Sequence, residues 1–71
     1  MKDKRGKLEE KIKELNEIRG MYHRRFKDAE KKWKNGEISE EEFNKHKEKY
    51  EKQKEKIRKK IHLLEEKLVS L

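Results

Sequence analysis

The chain contains no cysteine and no proline, only three glycines in 71 residues, and no extended apolar run. Without cysteine there is no disulfide framework, no thiolate zinc site and no thiol nucleophile. Without proline, nothing in the sequence forces a break inside a helix. No apolar stretch approaches the roughly 18 residues of a membrane span. The opening Met1-Lys2-Asp3-Lys4-Arg5 is not followed by the apolar segment of a secretory leader. These absences lead to the expectation of a cytoplasmic protein that does not engage a membrane.

Apolar residues are also scarce, at 28% against 55% charged. A chain this short and this polar encloses no conventional globular core, so its apolar residues have to form a seam within a single unit, residues 1–71. Disordered chains share such a composition, but they lack the regular apolar spacing found here. Abundant Lys and Glu with a single Gln match thermophile-like composition, in which ion-pair networks supplement a small core.

Leu8, Ile12, Leu15, Tyr22, Phe26, Ala29 and Trp33 are separated by three or four residues, with one gap filled by Arg19. That rhythm keeps a single helical stripe facing a partner. Ile12, Arg19, Phe26 and Trp33 take heptad position a, and Leu8, Leu15, Tyr22 and Ala29 position d. Ile18 stands beside the seam, placed to cover the gap at Arg19. A second arm repeats the pattern, with Phe43, Tyr50, Ile57, Leu64 and Leu71 at d and Lys47, Lys54, Ile61 and Leu68 at a. Its turn-proximal half mixes lysines with aromatics, an arrangement suited to long stems lying on rings.

Between the arms, Asn35-Gly36-Glu37-Ile38-Ser39-Glu40-Glu41-Glu42-Phe43 reads as a helix stop followed at once by a helix start. Gly36 supplies the left-handed residue that ends a helix. Ser39 with Glu42 forms a capping box, Ile38 with Phe43 a hydrophobic staple, and three glutamates face the positive end of the new helix. The expected fold is all-α: a long antiparallel two-helix hairpin, coiled-coil-like, with helices over about 3–34 and 39–70, a turn at 35–38, and dimerisation into a four-helix bundle. Opposing Trp33 to Phe43 sets a register in which facing residues sum to about 76. Phe26 then meets Tyr50, Leu15 meets Ile61, Ile12 meets Leu64 and Leu8 meets Leu68, along arms of about 45 Å. Gly20 falls on the outer surface, where it weakens the helix relative to Ala.

The same turn carries the second half of an EF-hand loop, with Gly36, Ile38 and Glu42 at its sixth, eighth and twelfth positions. Its first and third ligand positions are Lys31 and Trp33, which offer no anionic oxygen, so calcium binding is not expected. From Trp33 to Tyr50 the chain resembles the short helical-hairpin modules of the SHOCT family, which place a Gly-x-Ile-Ser/Thr-x-x-Glu-Phe-like segment between two helices. That resemblance implies a capped helical turn and assigns no activity.

No metal, cofactor or catalytic set emerges. His23, His46 and His62 lack ligand spacing, neither serine has a local activating partner, and no glycine-rich loop is present to cradle phosphate. The carboxylates lie on solvated helix faces, without the desolvation that creates a catalytic pair. Tyr22, Phe26, Trp33 and Tyr50 occupy seam positions, so packing takes precedence over stacking on bases.

Charge placement is more informative. The net charge is +7, and through Gly36 thirteen Lys and Arg stand against seven acids, compared with ten against nine afterwards. In an antiparallel pair, the g residues of both arms line one flank and the e residues the other. The g flank holds Lys4, Lys11, Ile18, Arg25 and Lys32, then His46, Gln53, Lys60 and Lys67, with no acid. The e flank holds Glu9, Asn16, His23 and Glu30, then Asn44, Glu51, Arg58 and Glu65.

Two functions fit this layout. The first is a non-enzymatic assembly or adaptor protein that forms a homodimer through Ile18, Met21 and Leu63 and offers its basic flank to an acidic protein partner. The second is a sequence-nonspecific DNA- or RNA-binding protein that tracks phosphates with Lys4, Lys11, Arg24, Arg25, Lys32, Lys60 and Lys67.

Overall fold

A computed structural model describes residues 3–71 as two helices, α1 (Lys4–Lys34) and α2 (Glu40–Val69), packed against each other as a hairpin. The molecule measures 51 × 19 × 11 Å, as expected for two arms of about thirty residues lying side by side.

Local chemistry fixes the start of α1 and both helix ends at the turn. The Asp3 carboxylate caps α1 by accepting from the Gly6 amide at 2.8 Å. At the other end the Gly36 amide donates to the Trp33 carbonyl at 3.0 Å and the Glu37 amide to Lys32 at 2.8 Å. These are the paired reverse bonds of a Schellman motif, and Gly36 provides its left-handed residue at φ 76°. Two residues later Ser39 starts α2, its Oγ accepting from the Glu42 amide at 3.1 Å. The Glu42 carboxylate makes no bond back to the Ser39 amide, so half of the expected capping box is formed.

Inside the hairpin the seam divides into two halves of different chemistry. From the turn inward, rings alternate between the helices: Trp33 stacks on Phe43 (4.5 Å, 8°), Phe43 meets Phe26 (5.7 Å), Phe26 stacks on Tyr50 (4.7 Å, 9°) and Tyr50 meets His23 (6.0 Å). Both stacked pairs are those of the expected register. The His23 Nδ1 and Tyr50 Oη also share a hydrogen bond at 3.1 Å, linking the arms at mid-length. Lys54 turns back over the Tyr50 ring of its own helix, Nζ 5.9 Å from the centroid, rather than crossing the seam.

Beyond this ladder the seam is aliphatic and poorly covered. Ile57 and Ile61 are buried, as are Ala29 and Phe43 nearer the turn, but Leu8, Ile12, Leu15, Leu64 and Leu68 are only half-buried. Two helices lying side by side leave both faces of a seam open, and among the described residues no large side chain is fully enclosed. The accessible surface is 6178 Å², whereas a compact monomer of 8.9 kDa exposes about 4,800 Å². Ile18, Leu63 and Leu71 stay exposed, so the distal half contains apolar surface that the hairpin does not cover.

Candidate interaction face

Helix geometry gathers positions c and g of both arms on one broad side of the hairpin and positions b and e on the other. Three surface hollows open on the c/g side. The one nearest the turn, about 320 Å³, is bounded by Arg25, Lys32, Ile38, His46 and Lys49 and floored by Tyr22, Phe26 and Tyr50. The other two, about 640 and 380 Å³, share Lys11, Leu63 and Lys67 and so form one continuous distal groove.

The distal groove has an apolar floor and charged edges. Leu8, Leu15 and Ile18 from α1 line it together with Leu63, Leu64 and Leu71 from α2. Ile18 is 39% exposed and Leu63 57%, so this floor faces solvent. Arg19, at the gap in the stripe, is exposed, yet Ile57, which faces it in the register, is buried. Lys4, Lys7 and Lys11 edge the groove along α1, and Lys60 and Lys67 along α2, with Glu14 and Glu66 the acids among its lining residues.

Across the three hollows the lining residues include eight Lys and Arg and three acids. None of these eight cations pairs with an acid among the described residues. Ion pairs of Lys and Arg among the described residues include Arg5 with Glu9, Lys27 and Lys34 with Glu30, and Arg58 with Glu55. The Arg58–Glu55 pair has a 2.7 Å bond that holds the Glu55 carboxyl below its usual range and raises the Arg58 guanidinium. Lys27, Lys34 and Arg58 on the b/e side are thus paired within the helices, whereas the eight cations that line the hollows are not.

The structure brings most of the expected residues together and separates a few. Lys4, Lys11, Arg25, Lys32, Lys60 and Lys67 all line the grooved side. Arg24 belongs to the outer surface instead, with its guanidinium 3.6 Å from where a Cβ on Gly20 would stand. Ile18 and Leu63 share the distal groove, whereas Met21 is half-buried and lines none of these hollows. Lys7 and Lys49, at position c, also belong to the basic side. They escape a reading confined to e and g, although the seven-residue repeat that places Leu63 points to them.

Among the described residues there is no group of three or more His, Cys, Asp or Glu placed to hold a metal, and no buried polar or charged side chain. His62 pairs with Glu66 at 3.1 Å, His23 with Tyr50, and His46 lies on the turn-proximal hollow. Neither described helix is long and apolar enough to cross a membrane. The fold and this face define a helical hairpin with one apolar, basic-edged side. Comparison with protein-family models, curated proteins and solved structures returns no match.

Proposed function

We propose that the protein is a non-enzymatic assembly or adaptor module that completes its core by packing the distal groove against further helices, in a second copy or in another protein. The observation that carries this reading is the exposed floor formed by Ile18 and Leu63 beside the half-buried Leu8, Leu15 and Leu64. Apolar side chains aligned in a groove between two helices are what a third and fourth helix bury in a bundle. The open, apolar-floored shape of the face suits packing against a helix.

The eight unpaired cations support a second reading, binding of DNA or RNA through phosphate contacts. An apolar floor contributes nothing to such contacts, and the aromatic rings are already stacked on one another in the seam. The assembly reading therefore ranks first.

Replacing both Ile18 and Leu63 with Gln separates the two, because it removes the floor and leaves every charge in place. Assembly predicts that the wild-type protein gains mass with concentration in sedimentation equilibrium, or takes up a helical peptide, and that the double variant does neither. Duplex DNA binding that is salt-sensitive and unchanged in the double variant would favour the second reading. A groove that accepts neither a second copy nor a helix would overturn the first.

A further inference from the structure

We infer that the preferred occupant of the distal groove is an acidic amphipathic helix supplied by another protein. This inference rests on the assembly reading above and specifies its partner. Three features of the groove lead to it.

The first is charge. Lys4, Lys7 and Lys11 stand on one edge and Lys60 and Lys67 on the other, none is ion-paired among the described residues, and the five outnumber the two acids of the lining, Glu14 and Glu66. A helix lying between these edges with Asp or Glu on both sides of its apolar stripe supplies the missing charge from two directions. Such flanking acids also steer encounter at moderate salt.

The second is symmetry. A closed dimer uses the same patch on both subunits, so pairing two grooves face to face would set one lysine-edged rim against another. Placing the groove of one copy on the opposite side of the next avoids that repulsion but does not close, and propagates into a filament. The opposite side also offers little apolar surface. Its heptad positions b and e carry Glu, Lys, Arg, Asn, His and Gly, with Val69 as the large aliphatic residue among them. A second copy is therefore a poorer fit than an acidic helix.

The third is length. The groove runs from Lys4 to Ile18 along α1, about 21 Å at helical rise, which accommodates about four turns. The occupant is thus a short helix with apolar anchors at i, i+3 or i+4, and i+7.

The test uses the full chain and a fluorescent, end-blocked peptide about four turns long. The peptide has leucine at the anchor positions, glutamate beside them and alanine elsewhere. Four comparison probes are a version with Gln in place of Glu, a scrambled version, polyglutamate and duplex DNA.

The expected result is saturable anisotropy with the acidic peptide, weakened at least about tenfold when NaCl rises from about 50 to about 500 mM. The Gln version should bind at least about tenfold more weakly, from loss of the flanking charges. The Ile18→Gln/Leu63→Gln variant should lose binding, Lys11→Glu/Lys67→Glu should lose most of it, and Lys45→Glu, away from the groove, should retain it. Circular dichroism of each variant establishes that it remains helical. Equal binding of scrambled peptide or polyglutamate, or DNA binding that persists in the Gln variant, would overturn the inference in favour of plain polyanion attraction. Self-association that strengthens with salt and excludes the peptide would overturn the acidic partner and leave the assembly reading standing. Absence of both peptide binding and self-association would overturn both.

Discussion

Trp33 and Phe43 stack nearly parallel across the turn, their ring centroids 4.5 Å apart and their planes 8° apart. Trp33 closes α1 from a position still 37% exposed, whereas Phe43 is buried in the first turn of α2. The pair joins the stop signal of one helix to the start signal of the next.

Phe43→Ala should cost about 3–5 kcal/mol, because it removes a buried ring that contacts both Trp33 and Phe26. In a core this small, that loss should abolish the cooperative urea transition followed by circular dichroism. Trp33→Ala should cost visibly less, since its ring is partly solvated in the folded state. Equal losses would show that the two rings share the load of the turn evenly.

Gly36 in the turn and Gly20 on the outer surface of α1 should respond to alanine with opposite signs. Gly36 adopts φ 76°, so Gly36→Ala should destabilise by about 1–2 kcal/mol although nothing obstructs the new methyl. Gly20 is helical, and a Cβ there meets Arg24 only at ordinary contact distance, so Gly20→Ala should stabilise by up to about 1 kcal/mol. Denaturant midpoints measured side by side test both, and a stabilising Gly36→Ala would contradict the left-handed turn.

Ser39→Ala should cost about 1 kcal/mol by stripping the oxygen that accepts from the Glu42 amide. Glu42→Gln should cost less, since the Glu42 side chain makes no return bond to Ser39. Thermal melts of the two variants distinguish a half-formed capping box from a complete one.

Glu55 should titrate below the ordinary carboxylate range, chiefly through its hydrogen bonds from Arg58 and secondarily through the charges of Arg58 and Lys59. A carboxyl with a depressed folded value contributes stability above its unfolded pKa and loses it as pH falls through the folded one. Carbon-13 NMR of the side chain should show the low midpoint, and Arg58→Gln should return it toward the ordinary range. An unchanged midpoint would show that the pair does not persist in solution.

The turn and the register are legible in the sequence because both depend on local chemistry. Gly36, Ser39 and the Trp33–Phe43 opposition fix the geometry within a few residues, and the Phe26–Tyr50 stack follows from it. The groove is less legible. Heptad labels give the direction of each side chain but not the depth left between neighbours, so the continuous floor from Leu8 to Leu63 appears only once side-chain volumes are placed in space. Leu71 illustrates the same gap: it takes a seam position by spacing, yet α2 ends at Val69 and Leu71 is left 65% exposed. The bond between His23 and Tyr50 joins flank to seam, a diagonal that no pairing of like positions anticipates.

The confinement of the ring ladder to the turn half also has a kinetic consequence. Bringing Trp33 to Phe43 closes a loop of fewer than ten intervening residues, whereas bringing Leu8 to Leu68 closes nearly the whole chain. The hairpin should therefore zip from the turn outward, with the aliphatic arms docking last and fraying first. A ligand in the distal groove would clasp the arms where they separate most readily, and hydrogen exchange should report it as slowed opening of residues far from the turn.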